Sequence, residues 1–285
     1  VQEICERINK LRAQIRAAEI KYSRKVGAVT LLAATKTRSV AEIGAAVACG
    51  QKHFGENYLQ DALPKIQMFP SYHEFRSCET CSLLISPARN EFAQGDSRGR
   101  SPILPLENPP SGKEFRTKCE TRTYKNYQST DIIWHFIGAI QSNKTKIIAE
   151  NFVWVESLAR LKIAQRLNAQ RPDYLPPLNV CIEVNLSGET NKSGVQLTQI
   201  LPLAQAIRNM PRLKLRGLMA IPAFHDDFVQ QRQLFSKLTQ ALQRLNESGF
   251  TCDTLSMGMS HDFEAAIAAG ATIVRIGTAI FGERV

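Results

Sequence analysis

The order of apolar and periodic segments predicts an α/β fold, a (β/α)8 TIM-type barrel with an extra N-terminal helix. Three observations carry this expectation. Eight strand-like runs each lead into a segment with helical periodicity, the alternation that builds a parallel sheet with helices outside, and eight is the number that closes a barrel. The first of these runs is apolar on both faces, as parallel strands covered from both sides are. Polar residues gather after most of the strands rather than at one switch point, and no G-x-G-x-x-G follows the first strand, which weighs against an open doubly wound sheet.

The elements follow in order. Ile4, Ile8, Leu11, Ile15, Ala18 and Tyr22 stand at alternating steps of four and three and lay one apolar stripe along an opening helix. VTLLAAT (29–35) reads as the first strand, and Val40 to Ala48, closed by Gly50, as its helix. The step then repeats: HFGE with YLQDALPKI, IIWHFIG with KTKIIAE, FVWVES with ARLKIAQRLNAQ, LNVCIEVNL with QILPLAQAIRN, LKLRGLMAI with FVQQRQLFSKLTQALQRLNE, TCDTLSMG with HDFEAAIAA, and TIVRIG with a short last helix. One segment breaks the rhythm. From residue 70 to 131 prolines, glycines, serines and arginines scatter without an apolar period, which marks a long insertion, a loop or disordered stretch, within one barrel domain spanning 1–285. The insertion holds Cys78 and Cys81 with His73 and Cys119 nearby, but a single C-x-x-C without a matching second pair is a weak zinc signal, and no metal site is expected.

Composition sets the outer bounds. The chain has 285 residues, 44% hydrophobic and 22% charged, ordinary usage for a globular protein able to bury a core. A net charge of +10 favours an anionic partner without naming it. Residues 70–130 carry nine Lys and Arg against seven Asp and Glu and so supply little of that excess. The charged opening stretch has no signal-peptide centre and no run of 18 apolar residues occurs, so a cytoplasmic location and no membrane association are expected. Seven cysteines, an odd number and widely spread, suggest reduced thiols rather than a disulfide framework.

In a barrel of this kind function sits at the C-terminal ends of the strands, which here carry Lys36, Asn57, His135, Asn185, Met219, Ser256 and Arg275. Lys36 has a plain reading, a rim lysine whose ammonium reaches water. It has a sharper one as well, because partial desolvation at a barrel mouth lowers a lysine's pKa toward the neutral amine that attacks an aldehyde. The last strand runs into Gly277 and Thr278, where glycine lets backbone approach a ligand and a helix turn offers free amides to an anion. The strand before it leads through Ser260 into a helix beginning near His261, which makes Ser260 either an N-cap or a phosphate ligand.

LLAATKT (31–37), FGENYLQ (54–60), WHFIGAIQSNK (134–144), NVCIEVNLSGETNKSG (179–194), RGLMAIP (216–222) and LSMGMSHDFEAAIAAGATIVRIGTAIFG (255–282) resemble the pyridoxal phosphate homeostasis proteins, whose fold is similar to the barrel domain of alanine racemase. The resemblance spans nearly the whole chain outside 70–131. It implies pyridoxal 5′-phosphate (PLP) held on Lys36 as a Schiff base. It further implies a phosphate bound by Ser260 and the Gly277 and Thr278 amides, Arg275 facing the pyridine nitrogen, and a pocket lined by Asn57, His135, Met219 and Ser256. The insertion departs from the family pattern, and Thr35 and His261 stand where serine and aspartate are more usual. None of these departures removes a residue assigned to the cofactor.

Three functions follow for comparison. The resemblance implies a PLP-binding protein for intracellular cofactor homeostasis, delivering to apo-enzymes and working as a monomer or weak dimer. Fold analogy suggests a PLP-dependent amino-acid racemase. The net charge alone suggests a nucleic-acid binder, and the dispersal of basic residues without interleaved aromatics puts this last. Catalytic turnover is not expected. Arginine opposite the ring nitrogen makes a poor electron sink, and the sequence stops directly after the last barrel turn, leaving no second domain to supply another base.

Overall fold

The computed structural model describes residues 1–70, 132–188, 193–223 and 225–283. The insertion and its C-x-x-C therefore lie outside the described residues apart from Pro70. Eight parallel strands close into a barrel in sequence order: β1 (Thr30–Ala34), β2 (His53–Glu56), β3 (Ile133–Phe136), β4 (Trp154–Leu158), β5 (Leu178–Glu183), β6 (Leu213–Met219), β7 (Thr254–Ser256) and β8 (Ile273–Ile276). β8 pairs with β1 in the register Leu32 to Arg275 and Ala33 to Ile276, which completes the ring. The strands form where the sequence is apolar on both faces, because one face meets the barrel interior and the other the surrounding helices.

Those helices are α1 (Gln2–Lys21), α2 (Val40–Ala48), α3 (Leu59–Met68), α4 (Thr145–Asn151), α5 (Leu161–Gln170), α6 (Ile200–Arg208), α7 (Phe228–Glu247), α8 (Phe263–Ala268) and α9 (Thr278–Phe281). The apolar stripe of α1 is its buried face, with Ile8, Leu11, Ile15 and Ala18 in the main core between helices and sheet. The next residue, Glu19, is buried as well, and its carboxylate accepts from the amides of Gly27 and Val29 at 2.9 and 2.8 Å, fixing the turn into β1. Ser39 and Glu42 form a capping box that starts α2 directly after the first strand's mouth loop. The Trp134 indole donates to Phe69 O at 2.8 Å and ties the end of α3 to β3.

Two local expectations need correction. Cys5 and Cys49 form a disulfide between α1 and the C-cap of α2, with Cα atoms 5.3 Å apart, while Cys181 and Cys252 are free and buried. Forty-four residues separate the pair, and only the packing of α1 on α2 brings them together, so linear spacing carries no sign of it. Helix α8 starts at Phe263 with Asp262 at its N-cap position, close to the expected start near His261, and this removes the N-cap reading of Ser260. Ser260 is a turn residue in the loop that the Asp262 carboxylate closes by accepting from the Met259 amide at 2.6 Å.

Candidate functional site

Alternation along the strands turns every second side chain into the barrel. Leu32, Ala34 and Ile273 meet there with Ile137, and Trp154, Cys181 and Met219 form a second apolar group. Met219 is thus fully buried in the packed interior at the end of β6. Lys36 stands two residues past Ala34, so the same parity brings it to the inner side of the mouth, half-buried in the turn that ends β1.

The turn carrying Lys36 is held from several directions. Thr37 has φ +63°, a left-handed conformation that costs a β-branched residue about 1–2 kcal/mol. Its hydroxyl offsets part of this by donating to Lys36 O at 2.6 Å. Under the turn lies a buried ion pair: the Lys65 ammonium of α3 donates to Thr35 O and to Glu56 Oε1, both at 2.7 Å, and the Thr35 hydroxyl donates to the same carboxylate oxygen at 2.5 Å. Burial raises the Glu56 pKa despite those donors, and Glu56 Oε2 is buried without a partner. Arg38 reaches across to the carbonyls of Phe281 and Gly282, linking the Lys36 turn to the end of α9.

On the other side of the β1–β8 seam, Gly277 follows the last register pair, Ala33 to Ile276, and lies beside Ala34. A Cβ at Gly277 would lie 3.0 Å from Ala34 O, so glycine is what lets the last turn come this close. Gly277 O accepts from the Ile280 and Phe281 amides at 3.0 and 2.9 Å, while the amides of Thr278 and Ala279 precede any carbonyl of the turn, as the opening amides of a helix do. The loop after β7 comes alongside through Gly258 (φ +95°), whose carbonyl accepts from the Arg275 amide at 2.9 Å. Ser260 follows in this loop, half-buried. Asn57 follows β2 and is half-buried, its carbonyl only 2.1 Å from where a Cβ on Gly138 would stand. Asn185, at the end of β5, accepts from the Gly188 amide at 3.0 Å and shapes its own loop.

Beneath the mouth runs a continuous polar layer. His53 Nδ1 meets His135 Nε2 at 3.0 Å; His135 Nδ1 meets Glu156 Oε1 at 2.7 Å; Ser256 Oγ meets Glu156 Oε2 at 2.6 Å; and Arg275 Nη1 donates to Ser256 Oγ at 2.6 Å. Arg275 Nη2 donates to Ala220 O at 2.8 Å. All but His53 are buried. Burial and the neighbouring His135 push the His53 pKa down to about 4. Burial lowers the Arg275 pKa, with Glu156, Asp262 and Glu183 opposing. For Glu156 burial acts upward, but the hydrogen bonds from His135 and Ser256 and the charges of His135 and Arg275 prevail and hold its pKa below the usual carboxylate value.

The structure therefore brings Lys36, Gly277 and Thr278 together across one seam and joins Ser256 to Arg275 directly. His135 belongs to the layer below, connected to Arg275 through Glu156 and Ser256. Glu156 itself escapes a reading of strand ends because it lies inside β4. A carboxylate at an inward position of a strand buried on both faces was the signal available.

A barrel with a lysine in the turn after its first strand and a glycine turn packed beside that strand's end belongs to the class found in alanine racemases, and the family model for the alanine racemase N-terminal domain matches residues 7–285. The pyridoxal phosphate homeostasis protein of Vibrio cholerae is 41% identical over 284 residues, which cover 100% of this chain and 98% of that protein. The chain belongs to this pyridoxal phosphate homeostasis family. A solved structure of PipY from Synechococcus elongatus with PLP bound is 25% identical, with a TM-score of 0.67 over 98% of this chain and 100% of PipY. Alanine racemase from Corynebacterium glutamicum shares the fold at 14% identity, with a TM-score of 0.58 over 99% of this chain and 62% of the racemase.

Proposed function

We propose that this protein binds PLP at the C-terminal mouth of the barrel and serves intracellular PLP homeostasis, keeping the cofactor sequestered for delivery to apo-enzymes. The observation that carries the reading is the β1–β8 register, which sets the half-buried Lys36 turn beside the Gly277–Thr278 turn. The residues present fit the cofactor. Lys36 supplies an amine for covalent capture as a Schiff base, Gly277 leaves room where a Cβ would crowd Ala34 O, and the Gly277 and Thr278 amides with the Ser260 hydroxyl suit a phosphate. Arg275 faces the ring nitrogen and Asn57 lines the pocket, while the buried Met219, Ser256 and His135 support it from beneath. When bound, the cofactor supplies an aldehyde for amines and a ring that withdraws electrons from an attached carbon.

The same residues argue against turnover. Arg275 is a permanent donor and gives no proton to the ring nitrogen, which leaves the ring a weak electron sink. His135, the one imidazole in the proposed site, is engaged on both nitrogens by His53 and Glu156, so it is not poised as a second base. The test is to incubate the PLP-loaded protein with each L-amino acid in deuterated water and follow the α-proton by NMR. Exchange at the level of free PLP is expected. Fast exchange, selective for one amino acid and abolished by Lys36→Ala, would establish a racemase instead.

A further inference from the structure

The interior of a (β/α)8 barrel is ordinarily filled by bulky branched residues, yet this one buries a carboxylate from β4 under its mouth. Burying an ion in this way is costly unless its partners are well placed, and breaking such a set is costlier still. The hydrogen-bond directions show what Glu156 does. An ionised carboxylate only accepts. Glu156 Oε2 therefore takes the single Ser256 hydroxyl proton, and Ser256 can meet Arg275 Nη1 only with a lone pair. Glu156 Oε1 faces His135 Nδ1, which fixes the carboxylate from the opposite side. Glu183 and Asp262 also act on Arg275, but Glu156 exerts the largest of the three charge influences and is joined to the guanidinium by hydrogen bonds through Ser256.

We propose that Glu156 is a positioning residue of the cofactor site: by claiming the Ser256 proton and balancing Arg275, it holds the guanidinium in place and leaves N–H groups of Arg275 as the donors presented to the ring-nitrogen end of bound PLP. This rests on the PLP-binding reading above. A glutamine at 156 has the same shape but only one accepting atom. If its oxygen stays on His135, its amide donates to Ser256, the Ser256 proton turns elsewhere and Arg275 loses its neighbouring charge.

The experiment compares the full-length wild type, Glu156→Gln, Ser256→Ala and the double variant, each titrated with PLP and then reduced with borohydride for mass spectrometry. Glu156→Gln is expected to keep the adduct on Lys36, to move the maximum of the visible band, and to raise the PLP dissociation constant about tenfold, equivalent to about 1.4 kcal/mol. Because Glu156 acts through Ser256, the double variant should bind no more weakly than the worse single one. A Glu156→Gln protein with the wild-type band and dissociation constant overturns the inference and leaves the PLP reading standing, as do strictly additive effects in the double variant. No Lys36 adduct in the wild type overturns the PLP reading and this inference with it. If Glu156→Gln does not fold by circular dichroism, Glu156→Asp, which keeps the charge but withdraws it by one methylene, must show the displaced band; an unchanged band and dissociation constant overturn the inference.

Discussion

Replacing Lys65 by methionine removes the ammonium that holds the Lys36 turn from below while leaving the apolar stem in place. Lys65 donates at 2.7 Å to both Glu56 Oε1 and Thr35 O, and its side chain and that of Glu56 are 5% and 0% exposed. With it gone, the Glu56 carboxylate keeps the Thr35 hydroxyl at 2.5 Å, and Glu56 Oε2 already lacks a partner. Removing one member of a buried ion pair costs about 3–5 kcal/mol. For a chain of this size that is roughly 6–10 °C in melting temperature. The loss should depend on pH in a defined sense. Burial already raises the Glu56 pKa in the folded state, and deleting Lys65 removes the main opposing influence, so it rises further. A carboxyl with a raised folded pKa binds more protons in the folded than in the unfolded state, so its unfavourable contribution grows as pH rises from the unfolded value through the folded one. The Lys65→Met protein should accordingly be most destabilised at neutral pH and recover part of the deficit on acidification toward pH 5. Urea unfolding at several pH values measures this. A deficit under about 1 kcal/mol, or one that widens on acidification, would refute the reasoning.

Ser260→Ala should weaken PLP retention by about 1.5–3 kcal/mol, the worth of a hydrogen bond to a charged group, while the melting temperature stays put because Ser260 is not the N-cap of α8; an unchanged dissociation constant would place Ser260 outside the site. Alkylation under denaturing, non-reducing conditions should label Cys181 and Cys252 and spare Cys5 and Cys49. Replacing both Cys5 and Cys49 by serine should cost about 4 kcal/mol in the chain-entropy account of a 44-residue loop, measured by urea unfolding; full labelling of Cys5 and Cys49 would contradict the bond. Joining Pro70 to Ile132 should preserve the PLP band, since β2 and β3 pair in register over His53–Glu56; loss of folding on deletion would assign the intervening residues a structural part.

The barrel was legible because parallel strands covered on both faces are written as short apolar runs, and all eight of those runs became strands. The turn residues of the candidate site were legible for a related reason: a lysine, a serine and a glycine at strand ends interrupt apolar context at positions where no core needs them. What escaped was long-range pairing. Glu156 looks like the end of an apolar run until β7 and β8 bring Ser256 and Arg275 across the barrel. Lys65 looks like a polar helix residue until Glu56 and the Thr35 carbonyl are found beneath it. Cys5 and Cys49 are far apart in sequence and meet only because α1 packs on α2. The turn before α8 is closed by the Asp262 carboxylate on the Met259 amide, a contact between residues three apart that puts Ser260 inside the turn and the first helical residue at Phe263.

We propose that Lys36, at the seam between the first and last strands, holds PLP covalently. Borohydride reduction of the PLP-loaded protein followed by peptide mass spectrometry tests it most directly. The reduced adduct is expected on Lys36, with no visible band in Lys36→Ala. An adduct on any other lysine, or a band that survives Lys36→Ala, contradicts it.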